Sequence, residues 1–343
     1  MINSSQTLFF DRIVDQISEI GLDFHVNNIF QHAEKNSADV KRSIKQLPAL
    51  KGNKARTGIV ISAGPSLRKK NSIQRIFDSD YQGSIIAIDA AYIACLKAGL
   101  IPDYVVTMDP NPTRMVRWFG DHDFEKNTGN DDYYTRQDLD VDFRRNSQEQ
   151  NRRHIELVNQ HGPLSKAIIA TSAPRNVVTR IKEARLDMYW WNPLMDDPTR
   201  QGSLTRRLYE MNGLPCINTG GNVGTTAWIF ANSVLKLPRV AIVGMDLGYY
   251  MDTPIEMTQT YYELIHHLGG RENIKGCFKE YEFPLDQQKY YTDPTYFWYR
   301  KNLLEMLERA PGKTVNCTEG GTLFGPHIEC VRLDRFLEES AHG

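Results

Sequence analysis

The chain has 343 residues, 41% hydrophobic and 24% charged, with 41 Lys plus Arg against 42 Asp plus Glu. This composition fits one large globular domain with appendages, or two domains, and excludes a disordered or fibrous chain. The charge balance leaves no electrostatic footprint for non-specific nucleic-acid binding, and no apolar run approaches the ~20 residues that span a bilayer.

Five widely spaced cysteines without a CxxC pair argue against a disulfide framework or structural zinc. The opening "MINSSQTLFFDRIVDQ" reaches acidic residues too soon for a signal peptide. The expected compartment is therefore the cytoplasm.

Residues 6–46 carry apolar residues at helical spacing, from Leu8 and Phe9 through Ile29, Phe30, Ala33, Val40 and Ile44. They predict a helical appendage over 1–50, joined through "LPALKGNKARTG" to a main domain over 58–335. There "GIVIS" reads as a strand, followed by a small-residue loop and a helix near 71–78. "SIIAIDA" (84–90) and "PDYVVTMDP" (102–110) are the next strands, with a helix between them. Further strands are expected at 166–173, 186–192, 239–247 and 313–321, and "INTGGNVGTTAWIFANSVLKL" reads as a loop entering a helix. Aliphatic strands alternating with helices predict an α/β, Rossmann-like doubly wound fold with a mainly parallel sheet. Two less regular insertions interrupt it. Residues 114–160 are crowded with charged and amide side chains, either a solvated helix or loop, or a basic lid. Residues 248–300 hold nine of the sixteen tyrosines with His266 and His267, which suits a binding insertion.

In such a fold ligands bind beyond the carboxyl ends of the strands. The candidate positions there are Ser62, Gly64, Pro65 and Ser66, then Asp89, Asp109, Asp246, and Thr318, Glu319 and Gly320. "SAGPS" is neither a GxGxxG fingerprint nor a P-loop, yet small residues let backbone N–H groups approach a phosphate. In "NTGGNVGTT", Asn218, Thr219, Gly220 and Gly221 precede a helix start and are expected to offer exposed N–H donors and hydroxyls. Each of the three aspartates suits helix capping. Together they also suit a metal–phosphate site, with Asp89 and Asp109 as Mg²⁺ ligands, or hydroxyl recognition. Arg114 and Arg175 follow two strand ends and would supply positive charge. His266, His267 or a carboxylate such as Asp246 would serve as a base.

Five ordered blocks then resemble a known family: "GPSL", "IIAIDAA…LKAGLIPDYVVTMDP", "NTGGNVGTTA", "VAIVGMDLGYY" and "YTDPTYFWYRKNLLEMLERAPGKTVNCTEGG". Over about residues 58–325 they are similar to bacterial proteins with an MptE-like domain, including the Maf motility accessory factors, glycosyltransferases that decorate flagellin. The resemblance implies a Rossmann-like fold and one of two chemistries. Archaeal members move a diphosphate from ATP onto 6-hydroxymethyl-dihydropterin with Mg²⁺. The Maf branch resembles bacterial sialyltransferases that use a CMP-activated nonulosonic acid.

The "NCTEGG" block and the length go with the Maf branch. That comparison implies residues 62–66 beside the nucleotide phosphate and Asp89 beside nucleotide or sugar. It also implies Thr219 and Gly220 at the donor carboxylate or phosphate, and 316–321 closing over the nucleotide. Ala63 stands where the sialyltransferases have Asn. "GYYMDTPIEMTQ" lacks the family's early histidine, which leaves the base unassigned. The short N-terminal piece argues against flagellin as acceptor.

The leading expectation is transfer of a nonulosonic or related sugar from a CMP-type nucleotide-sugar donor to a surface glycan or protein. The alternatives are a Mg²⁺-dependent diphosphokinase and a non-catalytic nucleotide-binding protein. No cofactor is certain, and oligomerisation is left open.

Overall fold

The structure is a computed structural model that describes residues 10, 13–14, 26–128, 147–258, 260–268, 270–271 and 274–341. Its strands are β1 (Thr57–Ile61), β2 (Ser84–Ile88), β3 (Tyr104–Thr107), β4 (Lys166–Ala170), β5 (Asp187–Leu194) and β6 (Cys216–Asn218). They continue as β7 (Arg239–Val243), β8 (Tyr249–Tyr250), β9 (Lys279–Glu282), β10 (Lys289–Thr292), β11 (Lys313–Asn316) and β12 (Glu329–Cys330).

Nine of them form one sheet in the order β12-β11-β7-β1-β2-β3-β4-β5-β6, and every neighbouring pair is parallel. The chain winds outward from β1 to β6, crosses back to β7 on the other side of β1, and winds outward again. This is the expected Rossmann-like doubly wound α/β fold, with its switch point between β1 and β7.

The aliphatic runs explain the architecture. Ile59, Val60 and Ile61 of β1, and Val240 to Val243 of β7, are fully buried because helices cover both faces of the sheet. Three helices matter for the site. Helix α1 (Asp89–Lys97) starts directly at the end of β2. Helix α2 (Val223–Ile229) begins where the Asn222 side chain accepts from Thr225 N, and it runs on into a π-turn over Phe230–Val234. Helix α3 (Pro294–Leu307) has Asp293 as its cap and Pro at the first position, where a missing N–H costs nothing.

Several elements differ from the sequence-based expectation. Strand ends are shorter than predicted, so Asp109 and Asp246 stand in the loops after their strands and Asp89 is the first residue of α1. Strand β6 is three residues within a segment read as loop. Residues 248–300 contain an antiparallel sheet in the order β8-β10-β9, with Tyr249 paired to Tyr291. Within 114–160 the structure places a helix over Ser147–His161; residues 129–146 lie outside the described part. Residues 26–36 are helical, whereas Ser37–Asp39 and Ile44–Gln46 are single 3₁₀ turns.

That N-terminal segment is built into the sheet's β4–β5 side. Buried Asn36 donates to the carbonyls of Thr171 (3.2 Å) and Ala173 (2.8 Å). Asp39 pairs with Arg175 and Lys182, and Ser43 bridges to Trp190. Among the described residues no helix is long and apolar enough to cross a membrane.

Candidate functional site

The switch point is closed by backbone and carboxylate contacts among three strand-end loops. Ser62 N donates to Val243 O (2.9 Å) and Gly64 N to Gly244 O (2.7 Å). Ser66 then donates twice to Asp246, from its N–H to Oδ1 (3.2 Å) and from its hydroxyl to Oδ2 (2.7 Å). The loop after β11 joins them, with Thr322 N on Asp246 O (2.7 Å) and the Thr318 hydroxyl accepting from Met245 N (3.3 Å). A Cβ on Gly64 would overlap the Asp246 carboxylate and stand 2.6 Å from Gly244 O. Only glycine allows this approach.

The next residue, Leu247, has φ +47°, a left-handed conformation that a branched side chain rarely takes. Its carbonyl accepts hydroxyl bonds from Thr292 (2.9 Å) and Thr322 (2.6 Å), both buried. Surrounding hydrogen bonds thus hold a strained turn in place.

Toward β3 the floor of the site is polar and incompletely partnered. Among the described residues Ser62 Oγ, Asp89 Oδ2 and Thr107 Oγ1, at the ends of β1, β2 and β3, are buried without a hydrogen-bond partner. Thr107 lies near enough to Asp89 to influence its titration, but outside hydrogen-bond geometry. Buried polar atoms in this condition mark a place for water or a ligand group. Asp89 Oδ1 accepts from Ala90 N (2.7 Å), which is the capping role. Burial pushes the Asp89 carboxyl up to about 7, with Asp109 adding repulsion; burial also pushes Asp246 up to about 6. Asp109 Oδ1 accepts from Asn111 N (2.8 Å), and Asn111 in turn caps the short helix Pro112–Met115.

The loop after β6 corrects one expectation. Gly220 N donates to Asn218 Oδ1 (3.0 Å) and Gly221 N to Thr219 Oγ1 (3.2 Å), so these N–H groups are used within the loop. Asn and Thr side chains close such turns on their own backbone. Glycine is required there for a different reason. Both have positive φ, and a Cβ at Gly221 would overlap Trp298 of α3, while one at Gly220 would stand 2.7 Å from Met306 Cε. A Cβ at Gly224 would meet Ser62 Oγ at 2.9 Å, so the start of α2 abuts the loop after β1.

A cavity of about 1050 Å³ opens beside this edge. Asp109, Ser172 and Asn218 to Gly221 line its upper wall; α2 and α3 form its sides.

The predicted residues therefore divide. Ser62, Gly64, Pro65 and Ser66 are joined to Asp246 and the Thr318–Gly320 turn, while Asp109 and Asn218 to Gly221 face the cavity. Asp89 lies buried at the end of the strand between β1 and β3. Both Asp246 oxygens are engaged by Ser66, so its observed role is to anchor the loop. Glu319 is held in an ion pair with Arg75, and a Cβ on Gly320 would stand 2.8 Å from Tyr290 Oη. Arg175 is paired with Asp39 rather than turned to a ligand. His266 and His267 fall in the helix Tyr261–Leu268, but their side chains lie outside the described part. Among the described residues no group of three or more His, Cys, Asp or Glu is arranged to hold a metal ion. Thr107 was missed because a threonine ending "YVVT" reads as an ordinary strand residue.

Three comparisons bear on this geometry. The family model described as 6-hydroxymethylpterin diphosphokinase MptE-like matches residues 27–127. The match starts upstream of the motifs, in the helix that carries Asn36, and includes the loops after β1, β2 and β3. The chain is also similar to the structure of the MAf glycosyltransferase from Magnetospirillum magneticum AMB-1, with a TM-score of 0.52 and 15% identity. That likeness covers 92% of this chain but 41% of the other, and at such identity it speaks for the fold. No curated protein matches the chain.

Two outcomes follow from the geometry. Gly64→Ala is expected to lower stability by about 1–3 kcal/mol through overpacking against Asp246; an unchanged melting temperature would contradict the tight approach. For Asp89, the native fold keeps a proton that the unfolded chain releases in the ordinary carboxylate range. Its contribution to stability is therefore full at low pH and is lost as pH rises through about 7. Asp89→Asn should raise the melting temperature at pH 8 by more than at pH 5, and a gain independent of pH would contradict the assignment.

Proposed function

From an MptE-like region on a Rossmann-like sheet, we propose that the protein is a glycosyltransferase that uses a nucleotide-sugar donor. In this reading a nonulosonic or related sugar passes from a CMP-type donor to a surface glycan or protein. The observation that carries the proposal is the cavity at the carboxyl edge. Its volume, about 1050 Å³, stands at the upper end of the roughly 300–1,000 Å³ usual for ligand sites, room for a ligand the size of a nucleotide sugar. The overall likeness to the Maf glycosyltransferase fold supports the same class.

The chemistry is a displacement at the anomeric carbon. The acceptor hydroxyl oxygen forms the new C–O bond. The bond to the donor phosphate breaks, and the phosphate oxygen keeps the electron pair. The hydroxyls of Ser62 and Thr219 would hold the leaving phosphate, since the N–H groups of their loops are spent within the fold. The hydroxyl proton passes to a base, for which this reading proposes Asp109 in the cavity wall, with His266 and His267 as the other candidates.

The family model's own description favours a second reading, transfer of diphosphate from ATP to a hydroxymethylpterin-like alcohol. Asp89, with one unpartnered oxygen, and neighbouring Asp109 would hold Mg²⁺ there. The ion would neutralise phosphate charge.

A thermal-shift panel of CMP, CDP, UDP, GDP and ATP, with and without Mg²⁺, separates the two. A ligand of the folded state raises stability by mass action. The expected result is stabilisation by CMP without Mg²⁺; stabilisation by ATP alone and only with Mg²⁺ would move the assignment to the diphosphokinase.

A further inference from the structure

One face of α3 supplies a side of the cavity. Trp298, Asn302 and Glu305 all line it, and spacings of four and then three residues put them on a single stripe. Leu303 and Leu307, on the opposite face, are buried in the core. Trp298 is the aromatic member of the stripe and is half-buried. The loop after β6 builds its seat. Gly221 has φ +88°, and a Cβ there would overlap the benzo ring of the indole, 2.8 Å from Cη2. The loop thus forgoes a side chain so that the ring lies against it, two residues from Thr219. Two residues span at most about 7 Å of chain, so the Thr219 hydroxyl and the indole border one corner of the cavity.

The indole is also little used by the fold. Among the described residues one ring lies beside it, Tyr299, tilted by 54° with centroids 5.5 Å apart. Its Nε1–H is unbonded there and, unlike those of Trp190 and Trp191, is not shut away from solvent. Asn232, in the π-turn after α2, is different: neither amide atom is bonded among the described residues, but it packs against Gly312 and offers the cavity nothing.

We propose that the Trp298 indole is the platform on which the base of a bound nucleotide stacks. The inference rests on the glycosyltransferase reading, in which Thr219 holds the leaving phosphate, and says where the rest of the nucleotide goes. A nucleotide is a phosphate joined through one sugar to a flat aromatic ring. The corner offers a hydroxyl for the first and an indole for the second. Stacking tolerates every base, because each presents a π-face. Choice among bases falls to the base edge, to which Asn302, one turn along the stripe, offers a donor and an acceptor. Charge sets the direction. Beyond Asn302, Glu305 and Glu308 outnumber Arg309, so a phosphate is repelled from that end while a neutral base is not.

The test is tryptophan fluorescence of the full chain titrated with CMP and with ATP plus Mg²⁺, read beside the melting temperature. Trp190, Trp191 and Trp228 are buried, so a stacking base is expected to quench Trp298. Quenching by CMP should saturate in the wild type and vanish in Trp298→Leu. CMP affinity in that variant should fall about tenfold, the scale of one lost stacking contact. Trp298→Phe, which keeps a ring, should retain most of the affinity without the quenching and guards against a folding defect in the leucine variant. Asn302→Ala should narrow the preference between CMP and UMP. Stabilisation by CMP without quenching, or with unchanged affinity in Trp298→Leu, would overturn the platform and leave the nucleotide-sugar reading standing. Silence towards CMP, with ATP quenching Trp298, would overturn that reading and leave the platform. Silence towards both nucleotides would overturn the two together.

Discussion

The buried carboxylate of Asp246 is the constraint on which the site depends. In a doubly wound sheet the loops after the two strands at the switch point diverge, and something must hold their tips together. Here Ser66 places both its N–H and its hydroxyl on Asp246, and the Asp246 carbonyl receives Thr322 from the loop after β11. Three loops from three strands are fixed by one residue. Burial raises its pKa, yet the Ser66 bonds pull it back down, so the anchor resists its own desolvation. The left-handed turn at Leu247, clamped by two threonine hydroxyls, follows from the same contact.

Much of this was legible in the chain because parallel strands buried on both faces must be aliphatic. "GIVIS", "SIIAIDA" and "RVAIVGMDL" therefore announced β1, β2 and β7, and the polar residues after them marked the carboxyl edge of the sheet. What escaped was of another kind. Strand β6, with three residues, is too short to carry a period, and the β8-β10-β9 sheet depends on pairing between tyrosines far apart in sequence. Thr107 and Asn232 gave no signal, since only packing decides whether a polar side chain finds a partner. The glycines at 220 and 221 were read as a source of donor groups, which the loop consumes internally; their requirement comes from Trp298 and Met306 pressing on the backbone. Glu319 and Arg175 were expected near a ligand, and each is instead taken up by an ion pair that no local pattern reveals.

The site also shows where stability is given up. Unpartnered polar atoms at the ends of β1, β2 and β3, a carboxylic acid shifted to about 7, and an amide with neither atom bonded are each unfavourable in an empty fold. The first three stand together at the carboxyl edge, behind which β1, β2 and β7 are mainly aliphatic. Unmet hydrogen-bonding capacity at the ends of three adjacent strands is a place for water or a ligand group.

The most direct measurement is hydrogen–deuterium exchange of the full chain with and without CMP. If the switch-point crevice holds the nucleotide, exchange should slow together in the three segments 58–70, 216–226 and 313–324, which belong to different strands and meet only there. Protection confined to the 261–277 region, or a bound nucleotide that leaves all three segments unchanged, would contradict the account.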